Sequence, residues 1–137
     1  MAVNDMVPLL DVDNLKESLA FYTGGLGFEM IQDWHQDGER RWCRLQMDGV
    51  GIMLQQFGTR GGAKGVGVSL CMFCDDALEL YRRFIANGID AKEPFVGNGL
   101  WVTSVKDPDG YGLDFESPTD VAEETTLSEF EGPEVEG

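Results

Sequence analysis

The chain carries the same supersecondary unit twice. The clearer copy of its closing hairpin runs from Trp101 to Glu116. Apolar-rich runs flank Pro108-Asp109-Gly110, where proline presets its own φ and glycine accepts a positive one, so the stretch reads strand, tight turn, strand. A fainter copy lies earlier: Arg41 to Gln46, a turn at Met47-Asp48-Gly49, then Val50 to Leu54. Two copies in so short a chain point to a duplicated module whose halves share one core.

The residues upstream of each hairpin complete the pattern. In the first half, Met6 to Val12 reads as a strand, with Pro8 where no ladder N–H is missed. Asp13 or Asn14 caps a helix whose stripe is Leu15, Leu19 and Tyr22, and Gly24-Gly25 stops it. Phe28 to Trp34 is the second strand and Gln36 to Glu39 a turn. Arg40 to Gln46 and Val50 to Gln56 follow as strands three and four. In the second half, Val66 to Cys74 is a strand. Asp75 or Asp76 caps a helix from Ala77 to Asn87, with Leu80, Tyr81, Phe84 and Ile85 as its apolar face and Gly88 at its end. Ala91 to Val96 is the next strand, and the Trp101–Glu116 hairpin supplies the last two. Both halves are βαβββ.

The predicted class is therefore α+β, with two βαβββ modules forming a curved mixed sheet around a cleft and the helices outside. Each module is a sheet with a helix on one face and nothing on the other, and two such sheets placed edge to edge can curl into a shared cleft suited to a small molecule. The expected organisation is one domain over 1–118 (module one 6–57, a Gly-rich linker 58–65, module two 66–118) and an acidic tail over 119–137.

Composition narrows the function. The formal net charge is −15 on 137 residues, which disfavours nucleic acid and anionic membrane surfaces and favours cationic ligands. Seven of the acids and no base fall after Pro118, and the end of that tail has little to bury. No apolar run is long enough for a membrane span. The start lacks the basic-then-apolar pattern of a signal peptide. Cys43, Cys71 and Cys74 are odd in number and sit in apolar settings, which reads as buried, reduced thiols in a cytoplasmic protein. Cys71 and Cys74 are three apart on a strand, so they point to opposite faces and cannot grip one metal.

Two segments carry a family likeness. Leu10 to Tyr22 with Leu26-Gly27-Phe28, and Asp107 to Asp114, resemble the opening segment and closing hairpin of the vicinal oxygen chelate superfamily, the glyoxalase, bleomycin-resistance and extradiol-dioxygenase proteins. The likeness covers residues 6–118. It implies paired βαβββ modules around a cleft, a homodimer, and in the enzymes a divalent metal held by one residue from the first and one from the last strand of each module. Those positions fall on Val7, on Met53 (or Gln55 with a two-residue slip), on Ser69 and on Asp114. Only Asp114 is an ordinary ligand for a hard or borderline cation, and the chain has a single histidine, His35. No family-type metal and no cofactor are expected.

Strand alternation in the family register turns Val7, Leu9, Asp11, Met53, Gln55, Ser69, Cys71, Phe73, Asp114 and Glu116 toward the cleft. Trp34, Trp42 and Trp101 lie on or beside strands that reach it, with core packing the alternative. The candidate ligand-binding set is Val7, Leu9, Trp42, Met53, Gln55, Ser69, Phe73, Trp101 and Asp114. Aromatic walls with carboxylates suit a flat or amphipathic cation. The leading reading is a metal-free binder of a small, aromatic or cationic molecule, as bleomycin-resistance proteins are. The alternatives are an enzyme with an unorthodox metal site or acid/base chemistry at Asp114, Glu116 or His35, and an interaction module using the acidic tail.

Overall fold

The computed structural model describes residues 1–58 and 64–132. It contains two four-stranded mixed sheets. In chain order the first module comprises β1 (Leu9–Asp11), α1 (Leu15–Leu19), β2 (Glu29–Gln36), β3 (Glu39–Met47) and β4 (Val50–Gln55). The second comprises β5 (Ser69–Phe73), α2 (Ala77–Ala86), β6 (Phe95–Gly97), β7 (Leu100–Lys106) and β8 (Gly112–Pro118), followed by α3 (Leu127–Glu131). Strand order is β1-β4-β3-β2 in one sheet and β5-β8-β7-β6 in the other. The first strand runs parallel to the last in each, and the other pairs are antiparallel. The repeat in the sequence is thus a repeat in topology.

The chain divides into two compact units. One holds residues 1–66 together with 107–110, and the other holds 67–106 and 111–137. Local chemistry explains the element boundaries. Asn14 caps α1 by accepting the Glu17 N–H at 3.0 Å, and Asp76 caps α2 by accepting the Glu79 N–H at 3.0 Å. Pro8 stands just before β1, where its carbonyl takes the Met53 N–H at 2.8 Å. Asp37 and Gly38 both have positive φ, 54° and 77°, which gives the β2–β3 hairpin a turn that matches strand twist.

Several sequence expectations need correction. Gly24-Gly25 does not stop the first helix: α1 runs on as a π-helical segment, Ala20–Leu26, and ends at Gly27, whose φ is 99°. The wide turn is supported by Thr23, whose hydroxyl bonds the Leu19 carbonyl at 2.6 Å. β1, β5 and β6 are shorter than their apolar runs, and Val66 and Val68 are exposed. Ile85 is exposed too, so α2 packs through Ala77 and Phe84, with Tyr81 half-buried. Cys43 is buried, but Cys71 is exposed and Cys74 only partly covered.

The first unit packs Leu10, Tyr22, Leu26, Phe28, Leu45 and Leu54 between the helix and one face of its sheet. The tip of the β7–β8 hairpin completes this unit. The Tyr22 hydroxyl donates to Asp107 at 2.8 Å, and Asp109 Oδ1 accepts the Asp13 N–H at 3.1 Å. The second unit packs Phe84 against Phe115, with ring centroids 5.1 Å apart. Its buried polar groups are matched: Thr103 donates to the Ala77 carbonyl at 2.8 Å, and the Ala77 N–H donates to Ser117 Oγ at 2.9 Å.

The acidic tail is in large part folded. Leu127 is buried with Ala77, Val96 and Trp101, and Phe130 lies edge-on to Trp101 at 5.4 Å. The Ser128 N–H bonds Glu93 at 2.7 Å, and Arg82 meets Glu131 at 2.8 Å. Residues 133–137, on which the expectation of a loose end falls, lie outside the described residues, as do 59–63 of the linker. Lys64 is held: its ammonium lies 3.1 Å from Asp11 and 2.8 Å from Asp13, and its side chain is 9% exposed. The hydrogen bond it donates to Asp13 is the chief reason its pKa is raised, with Asp11 adding to it.

Candidate functional site

Each sheet buries one face under its helix and leaves the other open. In the first sheet, register builds the open face row by row, because directly paired residues point the same way. Trp34 pairs with Trp42, Trp42 with Gln55, and Gln55 with Asp11. The adjacent row is Gln32, Arg44, Met53 and Leu9. Cys43, Leu45, Ile52 and Leu54 alternate with these and are buried on the helix side.

β2 is the edge strand, exposed along its whole length. Register shifts interrupt its pairing between Met30 and Gln32 and between Trp34 and His35. Bulges of this kind twist an edge strand and re-aim its side chains. Around them lies a concavity of about 430 Å³ lined by Gln32, Asp33, Trp34, Trp42, Gln55 and Phe57. Trp34 is 47% exposed and Phe57 50% exposed. The concavity thus has an aromatic wall of which two members are about half exposed.

Asp33 is the formal charge in this wall, and it is already matched. Arg40 Nε lies 3.0 Å away and His35 Nε2 3.1 Å away. The hydrogen bond from Arg40, then that of His35, holds the Asp33 carboxyl below the usual carboxylate range. At the far end of the same row, Asp11 is matched by Lys64.

The open face of the second sheet carries Ser69, Cys71 and Phe73 from β5, with Asp114 and Glu116 from β8. Cys71 pairs with Asp114 and Phe73 with Glu116. Both oxygens of Asp114 accept hydroxyls: Ser69 Oγ at 2.9 Å and Ser104 Oγ at 2.6 Å. Phe73 is 72% exposed.

The expected site residues thus divide. Leu9, Trp42, Met53 and Gln55 share the open face of sheet one, with Val7 just before β1 and partly covered. Ser69, Phe73, Asp114 and Glu116 share the open face of sheet two. Trp101 joins neither: it is 5% exposed and packs in the core of the second unit, so a ligand-facing Trp101 is corrected. His35 is exposed and bonded to Asp33. Trp34, Gln32 and Phe57 were missing from the candidate set. Trp34 was open to reading as core, and Phe57 borders a linker; only pairing with Trp42 across β2–β3 reveals the cluster.

The metal that the resemblance implies does not fit these residues. In the first unit the ligand positions offer a Val7 hydrocarbon and a Met53 thioether, or the Gln55 carboxamide. In the second they offer a Ser69 hydroxyl and an Asp114 carboxylate whose oxygens already hold two hydroxyl groups. This is a poor donor set for zinc, iron, manganese or magnesium. Among the described residues no group of three or more His, Cys, Asp and Glu could hold an ion.

Solved structures with the same fold are numerous. TioX from Micromonospora sp. ML1 superposes with a TM-score of 0.69 at 22% identity, covering 85% of this chain and 99% of its own. TnmS3, an antibiotic binding protein from Streptomyces sp. CB03234, gives 0.66 at 19% identity, covering 87% of this chain and 100% of its own. A glyoxalase/bleomycin resistance protein/dioxygenase from Nocardioides gives 0.68 at 17% identity, covering 93% of this chain and 91% of its own. No curated protein sequence matches significantly. The family model for the glyoxalase, bleomycin resistance and dioxygenase proteins matches residues 7–115. With the repeated βαβββ topology and that match over most of its length, the chain belongs to the Glyoxalase/Bleomycin resistance protein/Dioxygenase superfamily.

Proposed function

We propose that this protein binds a small aromatic organic molecule on the open face of its first sheet, without a family-type metal. The observation that carries the reading is the concavity walled by Trp34, Trp42 and Phe57, with Gln32 and Gln55 as its neutral hydrogen-bonding groups. A volume of about 430 Å³ falls within the range of roughly 300–1,000 Å³ common for drug-sized ligands. Each stacking contact contributes about 0.5–1.5 kcal/mol beyond the area it buries. The two carboxamides donate and accept, so they select for polar groups placed around a flat ring. That TnmS3 is an antibiotic binding protein supports the direction of the reading.

Leu9 and Met53, in the row beside Trp42, extend this surface with flexible apolar contacts, and Val7 borders it. Ser69, Phe73 and Asp114 give the second sheet an open face of similar kind, an exposed ring beside a hydroxyl-bonded carboxylate. Cytoplasmic placement, supported by the free thiols and acidic composition, and a homodimer, supported by the family resemblance, belong to the same proposal.

The test is a titration of intrinsic tryptophan fluorescence with a panel of planar aromatic compounds, paired with thermal shift. Binders are expected to quench Trp34 and Trp42 and to raise the melting temperature. Trp42→Ala is expected to abolish both effects while leaving the fold intact. If no compound of the panel quenches or stabilises the wild type, the reading fails.

A further inference from the structure

Where the family resemblance puts metal ligands in the first module, the structure brings an arginine. Arg44 is the direct cross-strand partner of Met53. Its Nη2 and the Val7 Cγ1 each lie 3.6 Å from the point where a β-carbon on Gly51 would stand. Gln46 Oε1 lies nearer still, at 3.3 Å, so the missing side chain at Gly51 leaves a space that Gln46, Val7 and the guanidinium share.

That guanidinium is under-used. Among the described residues, its Nε is buried without a hydrogen-bond partner. Its one ion pair there is with Asp5, a long contact of 3.8 Å to a side chain 72% exposed. Glu29, opposite Gln46 in the neighbouring row, is not within ion-pair range of it. Arg40 and Lys64, by contrast, are committed to Asp33, and to Asp11 and Asp13. With its side chain 33% exposed and so loose a partner, this guanidinium has capacity for an oxyanion.

We infer that Arg44 fixes the orientation of the ligand, and that the ligand is an aromatic carboxylic acid whose carboxylate stands on a short arm; this rests on the aromatic site proposed above. The ring stacks at Trp34 and Trp42, and the carboxylate meets the planar fork of Arg44, which suits it better than an ammonium would. Trp42 and Arg44 are two residues apart on one face of β3. The lean of the side chain toward Gly51, which pairs with Gln46 four residues along from Trp42, puts the ring and the charge about 7–13 Å apart. The same fixed positive charge repels a divalent cation from the vicinity of Val7 and Met53. The net charge of −15 suggested a cationic ligand, but on this face the most loosely matched charge is the positive one of Arg44.

The probes are 4-(1-naphthyl)butyrate, its primary amide, and the shorter 1-naphthoate, each titrated by tryptophan quenching. The butyrate is expected to bind at least about ten-fold more tightly than the amide, as a hydrogen-bonded charge pair warrants, and more tightly than the naphthoate. Arg44→Met should bring the acid down to the affinity of the amide while the amide changes less than about two-fold, and Arg44→Lys should keep part of the preference. Equal binding of acid and amide to the wild type would overturn the role of Arg44 and leave the aromatic site standing. Failure of every probe to bind would overturn both. The wild-type contrast decides the question even if a variant does not fold.

Discussion

Replacing Tyr22 with phenylalanine tests how the first unit is held together. Tyr22 is fully buried, and its ring packs edge-on to Phe28 with centroids 5.8 Å apart. Phe would keep that packing and remove only the hydroxyl. The hydroxyl donates to Asp107 at 2.8 Å, and Asp107 is itself 5% exposed. A hydrogen bond to a charged group contributes about 1.5–3 kcal/mol, and a buried acceptor that loses a donor cannot turn to water. The expected destabilisation is about 1.5–3 kcal/mol in urea unfolding with an unchanged m-value. For a domain of this size that lowers the melting temperature by roughly 5–15 °C. Amide exchange at Asp109 and Gly110 should quicken as well, because Asp107 accepts both of their N–H groups, at 2.9 and 3.0 Å. A loss below about 0.5 kcal/mol, the level of an ordinary surface change, would refute the view that this bond anchors the hairpin tip in the first unit.

Other outcomes follow from the same structure. Asp76→Ala removes the cap of α2 and should cost about 0.5–2 kcal/mol in denaturant unfolding, whereas Asp75→Ala should cost little. Cys71 is exposed, while burial pushes the Cys43 thiol up to about 11. Iodoacetamide at pH 8 should therefore label Cys71 first and Cys43 only on unfolding, as peptide mapping would show. The Ser128 hydrogen bonds lower the pKa of Glu93. A depressed carboxyl stabilises above its unfolded pKa and loses that contribution as pH falls through its folded pKa. Docking of α3, followed by the Phe130–Trp101 contact in NMR, should thus weaken on acidification below about pH 4.5, and Glu93→Gln should flatten that dependence.

Much of the fold was legible because its signals are local. Asn14, Asp76, Asp37-Gly38 and Pro108-Asp109-Gly110 declare caps and turns through their own backbone and side-chain chemistry. Once these are placed, the topology of one half is repeated in the other. The π-helical run through Gly24-Gly25 was not legible: glycine usually ends a helix, and here tertiary packing of Tyr22 and Leu26 carries the chain past it. Docking of the tail was hidden by composition, since Leu127 and Phe130 are two apolar residues among many acids. At the site, alternation placed Leu9, Met53, Gln55 and Asp114 on open faces. It could not separate Trp34, which is exposed, from Trp101, which is core, because that depends on which strand lies at the edge. The meeting of Arg44, Gln46 and Val7 beside Gly51 emerges only when β3 and β4 are paired.

The most direct test of a metal-free binding surface is ligand affinity measured with and without a strong chelator, using wild type and Trp42→Ala. Take whichever planar aromatic compound quenches tryptophan fluorescence best, and determine its Kd in metal-depleted buffer, in excess chelator, and with added zinc or manganese. The expected result is one Kd for the wild type under all three conditions and no measurable binding by Trp42→Ala. Binding that vanishes in chelator, returns with stoichiometric metal and survives in Trp42→Ala would contradict it.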